Sequence, residues 1–450
     1  MSTPPGSLWW SQTGPVTPRP PLPGDLDVDV CIVGGGYTGL WAAHGLISRD
    51  PHLRVAVIER EVCGFGASGR NGGWASALFP LGERGVVRHY GQDAPEAITR
   101  LLREAVTDLG RTLATENIDA DFHLGGTVTV ARNEVQARRL RAEDPGGWLD
   151  AAHVERHVTM ADSRGGSYSP HCARIHPTKL VRGLASAVAS RGAHIFEGTE
   201  ALSLEPARGS HRARVVTDHG TVRATYVVRA TEGYTTQFPG SRRDVAPLYS
   251  LMIATEPLPA AFFDEVGLAN YETFADGRHL VIYGQRTADN RLAFGGRGAP
   301  YHWGSSVRPG YDHVDSVFTV LESTLRELFP SFTQSVTHRW GGPLAMAREN
   351  RPYATVDHQQ GLAMAGGYTG DGVVLSRVCG DALAQSIVGG PDLDPRELPV
   401  VARPLTRRWE YEPWRWLGIN AGLALARSAD RREASGHESR AARWLDRLLG

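Results

Sequence analysis

The feature that most constrains the fold lies near the start of the chain, where an apolar run leads directly into a glycine-rich turn. The segment DVDVCIVGGG is typical of a buried β-strand and its turn, YTGLWAAHGLISRD of the helix that follows, and RVAVIER of a second strand. A strand, a glycine turn, a helix and a strand within about 30 residues form a βαβ unit, whose crossover makes the two strands parallel. We therefore expect a parallel sheet.

The turn of this unit has the spacing G-x-G-x-x-G at Gly34, Gly36 and Gly39. The first glycine allows the tight turn, the second lets the backbone approach a pyrophosphate, and the third lets the helix pack on the strand. The helix then begins near Tyr37 and Thr38, where unpaired N–H groups and a partial positive charge favour phosphate. This turn is the predicted binding site for a pyrophosphate.

Glu59 ends the second strand, twenty residues after Gly39. A carboxylate at that place can accept both hydroxyls of a ribose, so the unit as a whole predicts dinucleotide binding. Arg60 is a weaker indication of a dinucleotide with a 2′-phosphate, because the adjacent Glu59 would repel that phosphate. The fingerprint alone does not distinguish a nicotinamide from a flavin.

A second glycine-rich segment, GFGASGRNGG at residues 64–73, follows the acidic strand directly. A nicotinamide domain does not need a second glycine loop here, whereas a flavin has to be held along its whole length. Ser68, Arg70 and Asn71 supply donors for pyrophosphate or ring oxygens, and the glycines allow the backbone to come close. The segment favours a flavin, with an ordinary surface loop as the alternative.

The same strand, turn and helix pattern recurs in the middle and at the end of the chain, with antiparallel and helical patterns between. We expect a mixed α/β and α+β protein, in which an inserted antiparallel-sheet substrate domain interrupts a Rossmann-like dinucleotide-binding domain. The predicted boundaries are a Pro-rich extension at 1–27, a dinucleotide-binding domain at 28–85, 165–240 and 336–392, a substrate domain at 86–164 and 241–335, and a helical tail at 393–450.

Composition and charge exclude several function classes. The hydrophobic fraction is 41% and the charged fraction 22%, close to the averages of folded domains. The formal net charge of −1 provides no global attraction to nucleic acid or to an anionic membrane. The four cysteines are scattered without a C-x-x-C pair, which argues against a metal site or a disulfide framework and fits a cytoplasmic location. We find neither a signal peptide nor an apolar run of about 18 to 20 residues, so membrane insertion is not expected.

Six motifs in a fixed order link the sequence to a known family. They are DVCIVGGGYTGLWAA, GASGRNGG, HPTKLVRGLA, VVRATEGYT, HRWGGPLAMARENRPYATVD and GGYTGDGVVLSRVCGDALA, and they extend from residue 29 to about residue 390. The chain resembles the FAD-dependent amine and amino-acid oxidoreductases of the D-amino-acid oxidase superfamily, which includes glycine and sarcosine oxidases. It is most similar to the γ-glutamylputrescine oxidase-like branch.

The resemblance implies which residues hold FAD. The ADP half would lie against Gly34, Gly36, Tyr37, Thr38, Gly39, Glu59 and Arg60, with the adenine near Ala201. The pyrophosphate and flavin would lie along Ala67, Ser68, Arg70, Asn71, Gly72 and Gly73, the crossing chain would contribute Ala230, Thr231 and Gly233, and the pyrimidine edge of the ring would meet Gly367, Tyr368, Thr369, Gly370, Gly372 and Val373. A helix N-terminus at that edge stabilises the negative charge that arrives with hydride.

The pentapeptide GGYTG occurs twice, at residues 35–39 and 366–370. No fixed-period repeat accompanies the two copies. Each is interpreted as a strand that turns sharply into a helix, used once for phosphate and once for the flavin. Both copies are therefore predicted to lie against one cofactor.

The chain departs from its relatives at three places. Pro343–Ala345 stand where sarcosine oxidase-like relatives attach FAD through a cysteine, so we expect non-covalent FAD. Val373 and Val374 stand where those relatives place a lysine for the substrate carboxylate, which argues against an α-amino-acid substrate. Asp371 replaces a histidine of several relatives; its carboxylate is interpreted either as a helix cap or as an attraction for a cationic amine.

The predicted reaction is the oxidation of a primary or secondary amine by hydride transfer to flavin, giving an imine and then an aldehyde or keto product. The residues expected to act on the substrate are Tyr249, Tyr283, Arg286 and Asp371. Weaker candidates are His279, Arg297, His302, Trp303 and Arg348. Aromatic residues that alternate along strands are more often core than ligand contacts, and that reading stays open for the tyrosines.

The electron acceptor is expected to be O2, with H2O2 formed. Lys179 is the only lysine in the chain, so a lysine-assisted oxygen reaction is not expected and another acceptor is the alternative. The remaining alternatives are an amino-acid dehydrogenase or oxidase, an NADPH-using flavin hydroxylase, and a non-catalytic FAD-containing assembly protein that docks through the Trp-rich tail at residues 407–433. The favoured interpretation of that tail is an amphipathic helix that covers the enzyme's own sheet. No second dinucleotide fingerprint supports the hydroxylase.

Overall fold

The computed structural model describes residues 6–144, 146–389 and 407–442. The strands in these ranges are β1 Leu26–Val33, β2 Val55–Ile58, β3 Trp74–Ser76, β4 Thr127–Val130, β5 Trp148–Leu149, β6 Gly166–Ser169, β7 Cys172–Arg174, β8 His194–Phe196, β9 Ala201–Glu205, β10 Ala213–Thr217, β11 Thr221–Arg229, β12 Ala246–Thr255, β13 Thr273–Asp276, β14 Ile282–Arg286, β15 Leu292–Arg297, β16 Val336–Met346, β17 Tyr353–Asp357 and β18 Leu362–Gly366. The α-helices are α1 Leu8–Ser11, α2 Tyr37–Arg49, α3 Glu83–Tyr90, α4 Ala94–Thr115, α5 Glu134–Glu143, α6 Ala151–Val154, α7 Pro177–Ser190, α8 Ala260–Val266, α9 Asp315–Leu328, α10 Gly372–Gly389 and α11 Trp414–Ala434.

The first sheet is built around the predicted βαβ unit. Its strand order is β17-β18-β11-β1-β2-β8, and the five strands from β18 to β8 run parallel to their neighbours. β17 closes one edge in antiparallel orientation, and β10 and β9 form an antiparallel extension on β11. The second half of β1, residues 30–33, and all of β2 are apolar and buried, as expected for a sheet that is covered on both faces. The predicted Rossmann-like fold is confirmed.

Helix α2 packs against α10 across a close contact at Gly380. A Cβ at this glycine would lie 2.8 Å from the Cβ of Trp41 and 2.8 Å from the backbone nitrogen of Ala42. These distances are shorter than any ordinary carbon contact, so only glycine lets the two helices approach this far. Helix α2 begins at Tyr37, inside the first GGYTG copy, and α10 begins at Gly372, two residues after the second copy.

The second sheet has the strand order β16-β12-β15-β14-β13-β4-β6-β5. All its pairs are antiparallel except β13 with β4. Phenylalanines from β13, β15 and α9 fill the layer between this sheet and its helices, and Phe274, Phe294 and Phe318 are buried there. This is the antiparallel platform predicted for the substrate domain.

Two segments lie in a different sheet from the one that the predicted boundaries imply. β6 (Gly166–Ser169) and β16 (Val336–Met346) belong to the second sheet, although the boundaries at 165 and 336 assign them to the dinucleotide-binding domain. β16 pairs with β12 along almost its whole length, from Val336 to Met346, and this long-range pairing decides its place. We therefore propose a division into domains in which β6 and β16 belong to the substrate domain.

The N-terminal and C-terminal segments pack onto both sheets. Leu8 and Trp9 of α1 are 1% exposed and join Met252 and Trp340 in one buried cluster. Arg19 pairs with the buried Glu197, and its backbone N–H donates to the same carboxylate at 2.6 Å. The predicted extension at 1–27 is therefore an integral part of the fold from residue 6 onward. Of the predicted tail, residues 393–406 and 443–450 lie outside the described part of the chain.

None of the described helices combines the length and apolar character that crossing a bilayer requires. The four cysteines are free and buried.

Candidate cofactor and substrate site

A cavity of about 280 Å³ opens where the parallel strands of the first sheet end. We call it the large cavity. Val33 ends β1, Ile58 ends β2 and Ala230 follows β11, and all three line it. β1 lies between β11 and β2 in the sheet, so the connections leave the sheet in different directions at this point. In open α/β sheets such a crevice is the usual ligand site.

The fingerprint glycines shape one wall of the large cavity. Gly34 has a φ of +112°, and a Cβ there would lie 2.5 Å from the carbonyl oxygen of Ala230. A Cβ at Gly39 would lie 2.0 Å from the carbonyl oxygen of Gly34. Larger residues would push the turn off the neighbouring strand, so both positions require glycine. The backbone N–H of Tyr37 points out of this turn and donates to Ser68 Oγ at 2.9 Å.

Glu59 lines the large cavity with its carboxylate fixed at the end of β2. Its two oxygens accept the backbone N–H groups of Gly35 at 2.8 Å and Glu61 at 2.9 Å. Burial raises the pKa of this carboxyl, and the two backbone bonds oppose that change. A carboxylate has about four acceptor positions, so acceptor capacity remains for ribose hydroxyls. Arg60 also lines the cavity and donates to Gln237 at 2.8 Å.

The second glycine loop is held mainly by its own side chains. Asn71 donates to the carbonyl oxygens of Ala67 and Ser68 at 3.1 and 3.0 Å and accepts the N–H of Gly73 at 2.8 Å. Ala67, Ser68 and Asn71 line the large cavity. The loop therefore presents a preformed backbone surface to a ligand.

Arg70 points away from the large cavity, contrary to its predicted role as a donor to the cofactor. Its guanidinium is buried, and it donates to Asp312 at 2.8 Å and to the hydroxyl of Tyr234 at 3.0 Å. A buried guanidinium needs a carboxylate partner, and Asp312 on the connection before α9 supplies it. Arg70 therefore joins the second glycine loop to the substrate domain.

Gly72 and Gly73 face the second sheet instead of the cavity. A Cβ at Gly72 would lie 2.4 Å from the ring of Tyr283, and one at Gly73 would lie 1.9 Å from Gln285 Nε2. Gln285 also donates to the carbonyl oxygen of Gly72 at 2.8 Å. These two glycines let the loop dock on β14. Tyr283, a predicted substrate contact, hydrogen-bonds with Ser250 at 2.6 Å and supports the loop from below.

The second GGYTG turn lies beside the first on the wall of the large cavity. The hydroxyls of Thr38 and Tyr368, one from each pentapeptide, are hydrogen-bonded to each other at 3.0 Å and buried. Both copies thus lie against one cavity, and a direct bond joins them. Glu232 lines the cavity and accepts the N–H groups of Gly367 at 2.8 Å and Tyr368 at 3.4 Å.

The structure brings most of the predicted cofactor residues to the large cavity. Those that line it are Gly34, Gly36, Tyr37, Thr38, Glu59, Arg60, Ala67, Ser68, Asn71, Ala201, Ala230, Thr231, Gly233, Tyr368, Gly370, Gly372 and Val373. Those that do not are Gly39, Arg70, Gly72, Gly73, Gly367 and Thr369. Lining residues that the prediction missed include Glu200, Leu202, Glu232, Tyr234, Pro343 and Leu344. The motif VVRATEGYT contains two of them, so its charged and aromatic positions were the available signal.

A second, small cavity of about 20 Å³ shares Leu344 with the large cavity and lies on the second sheet. It is lined by Leu248, Tyr249, Arg297, Gly298, Ala299, Leu344, Met346, Thr369 and Leu423. Tyr249 is 3% exposed, and burial raises the pKa of its phenol, so the hydroxyl stays protonated. This cavity meets the second GGYTG turn at Thr369, beside the end of the cofactor cavity that the flavin ring is predicted to reach.

Arg297 lines the small cavity, whereas Asp371 lines neither cavity. Arg297 ends β15 and donates to the carbonyl oxygen of Thr369 at 2.6 Å. Asp371 follows two residues later, directly before α10. Burial raises the pKa of Asp371 to about 6, and the charge of Arg297 opposes this change.

Arg286, a predicted substrate contact, lines neither cavity. Its guanidinium donates to Asn290 at 2.7 Å and to the carbonyl oxygen of Leu268, and it stacks 3.9 Å from the centre of the Phe263 ring. These partners complete the interior of the substrate domain, which gives Arg286 a packing role.

Of the weaker candidates, only Arg297 lines either cavity. The others serve packing or surface roles: His279 pairs with Glu433, His302 stacks on Tyr311, Trp303 is 58% exposed and Arg348 pairs with Glu410.

The large cavity fits FAD in the arrangement that the sequence predicts. Its lining offers a glycine turn, the N-terminus of α2, the carboxylate of Glu59 and the first residues of α10. Pro343 and Leu344 form the wall where some relatives carry a cysteine. The donor set along the cavity therefore suits a non-covalently held dinucleotide.

Comparisons with known proteins agree with this geometry. Residues 29–386 match the model of the FAD-dependent oxidoreductase family DAO. The chain is 31% identical over 412 residues to the probable oxidoreductase OrdL of Rhizobium meliloti (strain 1021), with 86% of this chain and 89% of that protein covered. It is 28% identical to the gamma-glutamylputrescine oxidoreductase of Escherichia coli (strain K12), with 81% and 84% covered.

Among solved structures, the glycine oxidase of Geobacillus kaustophilus superimposes with a TM-score of 0.69 at 22% identity, covering 85% of this chain and 99% of that one. The cofactor is FAD, held without a covalent link. The match to the family model and the OrdL relative together show that the chain belongs to the DAO family of FAD-dependent oxidoreductases, enzymes that act on CH–NH groups.

Proposed function

We propose that the enzyme oxidises a primary or secondary amine and passes the electrons to O2. The observation that carries the proposal is the small cavity, which lies beside the second GGYTG turn and is lined by Tyr249, Arg297 and Thr369. A substrate carbon held there would lie next to the flavin end of the large cavity, through the shared residue Leu344. Bound FAD supplies the acceptor for the hydride.

The reaction balances as a two-electron oxidation. The C–H bond of the carbon that carries the nitrogen breaks, its hydride leaves, and the nitrogen loses a proton to give an imine. Water then adds to the imine, giving an aldehyde or ketone and releasing ammonia or an amine. Reduction of O2 by the same two electrons and two protons gives H2O2. The protein has to bind and orient the amine and exclude bulk water.

Asp371 supports an amine as the substrate. Burial raises the pKa of its carboxyl to about 6, and the residue directly follows Gly370, which lines the large cavity. An ammonium substrate is attracted to the anion of this carboxyl, most strongly where burial lowers the effective dielectric constant. The carboxylate can then take the ammonium proton, which leaves the neutral amine that hydride transfer requires.

Arg297 favours a second candidate, an amine that also carries a carboxylate. Its guanidinium lines the small cavity beside the second GGYTG turn, where it donates to the carbonyl oxygen of Thr369 at 2.6 Å, and arginine binds carboxylates with paired charge-assisted hydrogen bonds. The names of two relatives support both readings, because one is a gamma-glutamylputrescine oxidoreductase and another a glycine oxidase. Amino acids are therefore included with simple amines in the test.

The test is anaerobic bleaching of the flavin by a panel of alkylamines, diamines, N-methyl amines and amino acids. We expect at least one amine to bleach the flavin, and admission of air to restore its colour with one H2O2 formed per flavin. Failure of every compound to bleach the flavin would overturn the proposal. Bleaching followed by restoration only with an artificial dye would replace O2 with another acceptor.

A further inference from the structure

The C-terminal segment at residues 407–442 lies outside the residues that match the family model, and it contacts the substrate domain through buried groups. Trp409 is 8% exposed and donates its indole N–H to the carbonyl oxygen of Met346 at 2.9 Å. Met346 lines the small cavity. The first anchor of the segment is therefore adjacent to the predicted substrate site.

Two further anchors hold the segment along the chain that leaves β15. The carboxylate of Glu412 accepts the hydroxyl of Tyr301 and the N–H of Gly304, both at 2.9 Å. Asn420 and Tyr301 exchange two hydrogen bonds of 3.2 Å between the side-chain amide and the backbone. These bonds fix the first two turns of α11.

The last anchors lie toward the other end of the helix. Arg427 donates to the carbonyl oxygen of Gly298, a residue that lines the small cavity. The carboxylate of Asp430 accepts the N–H groups of His279 and Leu280 at 2.7 and 3.0 Å. Helix α11 is thus tied to the substrate domain on both sides of its midpoint.

Leu423 lies at that midpoint, between Asn420 and Arg427, and its side chain forms part of the wall of the small cavity. The other lining residues come from β12, β15, β16 and the residues that directly follow β15 and β18. Strand positions are fixed by backbone pairing, whereas a side chain on a helix can change in size without disturbing the sheet. The volume left in the cavity, about 20 Å³, depends directly on this leucine.

From this we infer that α11 is a wall of the substrate site and that Leu423 sets the largest substituent that the amine can carry. The inference rests on the proposed function, because it assigns the small cavity to the substrate. Leu423 contacts the bound amine only through its aliphatic side chain and takes no part in proton or hydride transfer. Its effect is therefore on substrate size and not on chemistry.

The experiment compares flavin reduction by primary n-alkylamines from methylamine to hexylamine in the wild-type holoenzyme, Leu423→Ala and Leu423→Phe. We expect Leu423→Ala to shift the preference toward longer amines, with kcat/KM improved about fourfold for each additional methylene that the cavity admits, from the free energy of burying one CH2. Leu423→Phe should shift the preference toward shorter amines. The shift should appear mainly in KM or in the amine dissociation constant.

Two variants of the same helix are controls. Leu425→Ala trims a leucine that packs against the cluster of Ala426, Ala429 and Ala442 and does not line the cavity, and Leu417→Ala trims one that is 46% exposed. Both should keep the wild-type order of substrates. If Leu425→Ala reproduces the change seen with Leu423→Ala, or if Leu423→Ala lowers kcat/KM equally for all amines, Leu423 has only a structural role and the inference is wrong.

Failure of the proposed function is recognised separately. If no amine reduces the flavin of the wild-type enzyme, the same amines are titrated while the visible spectrum of the bound flavin is recorded. If the dissociation constants depend on the chain length of the amine and differ between Leu423→Ala and Leu423→Phe, Leu423 forms a wall of the amine site even though no amine is oxidised. Dissociation constants that are unchanged by both substitutions overturn it.

Discussion

Glu232 provides the most quantitative test of the site, because a buried carboxyl at this position makes stability depend on pH. The residue adopts a φ of +41° and lines the cofactor cavity. Its carboxylate accepts the N–H of Gly367 at 2.8 Å and that of Tyr368 at 3.4 Å. Burial raises its pKa from 4.5 to about 7, although these backbone bonds lower it. Glutamine in its place keeps an acceptor oxygen and removes the titration.

The sign follows from proton linkage. Between pH 4.5 and about 7 the folded protein keeps the proton of Glu232, whereas the unfolded chain has released it. The contribution of this group to the free energy of unfolding is therefore complete below about pH 4.5 and is lost as the pH rises through about 7. The wild-type protein should lose stability relative to Glu232→Gln across this range.

The size of the effect follows from the two pKa values. The difference between 4.5 and about 7 corresponds to at most about 3 kcal/mol at 1.36 kcal/mol per pH unit. An unfolding entropy of about 2.1 cal/mol/K per residue gives about 0.9 kcal/mol/K for 450 residues. The melting temperature of Glu232→Gln minus that of the wild type should therefore increase by about 3 °C between pH 5 and pH 8.

The assay is thermal unfolding of the FAD-loaded proteins at constant ionic strength, followed by tryptophan and flavin fluorescence at one scan rate. Glu104→Gln is the control, because Glu104 is an exposed acid in the middle of α4 and its substitution removes one charge without a buried site. The melting temperature of Glu104→Gln minus that of the wild type should not vary with pH. If the melting-temperature difference for Glu232→Gln is also independent of pH, or decreases between pH 5 and pH 8, the reasoning is refuted.

Three further substitutions test other parts of the site. Glu59→Gln replaces one carboxylate oxygen with an NH2 donor, which would face either the N–H of Gly35 or the ribose hydroxyls. The substitution should raise the Kd for FAD at least tenfold in a titration of the apoprotein. An unchanged Kd contradicts the ribose role of Glu59. Trp9→Phe keeps the ring but removes the indole N–H that donates to the carbonyl oxygen of Asn71 at 2.8 Å, so the same titration should give a Kd two- to tenfold higher, and an effect on stability without one on the Kd would limit Trp9 to packing. In the wild type, amine binding should improve as the pH rises through about 6, and Asp371→Asn should abolish this improvement. Amine binding is measured from the dependence of flavin reduction on amine concentration. If the improvement persists in Asp371→Asn, it belongs to another group.

Local sequence patterns determined the cofactor half of the site. The spacing of Gly34, Gly36 and Gly39, the acid at Glu59 and the strand and helix periodicities all depend on backbone conformation over a few residues. Glycine is required wherever φ is positive or another backbone approaches, so its positions reveal turns before any contact is known. These features predicted the parallel sheet, the pyrophosphate turn and the meeting of the two GGYTG copies at one cavity.

Only the tertiary structure decided which side chains face the cavities. Arg70 turns to Asp312, and Tyr283 supports the second glycine loop, although both were predicted to contact a ligand. Glu232 enters the wall of the large cavity from a motif that predicted only its neighbours Ala230, Thr231 and Gly233, and Leu423 enters the wall of the small cavity from the C-terminal segment. The partner of a side chain depends on elements that are distant in sequence, and the pairing of β16 with β12 or the anchoring of α11 has no local signature. The chain alone therefore determined the fold and the cofactor, and long-range packing determined the shape of the substrate site.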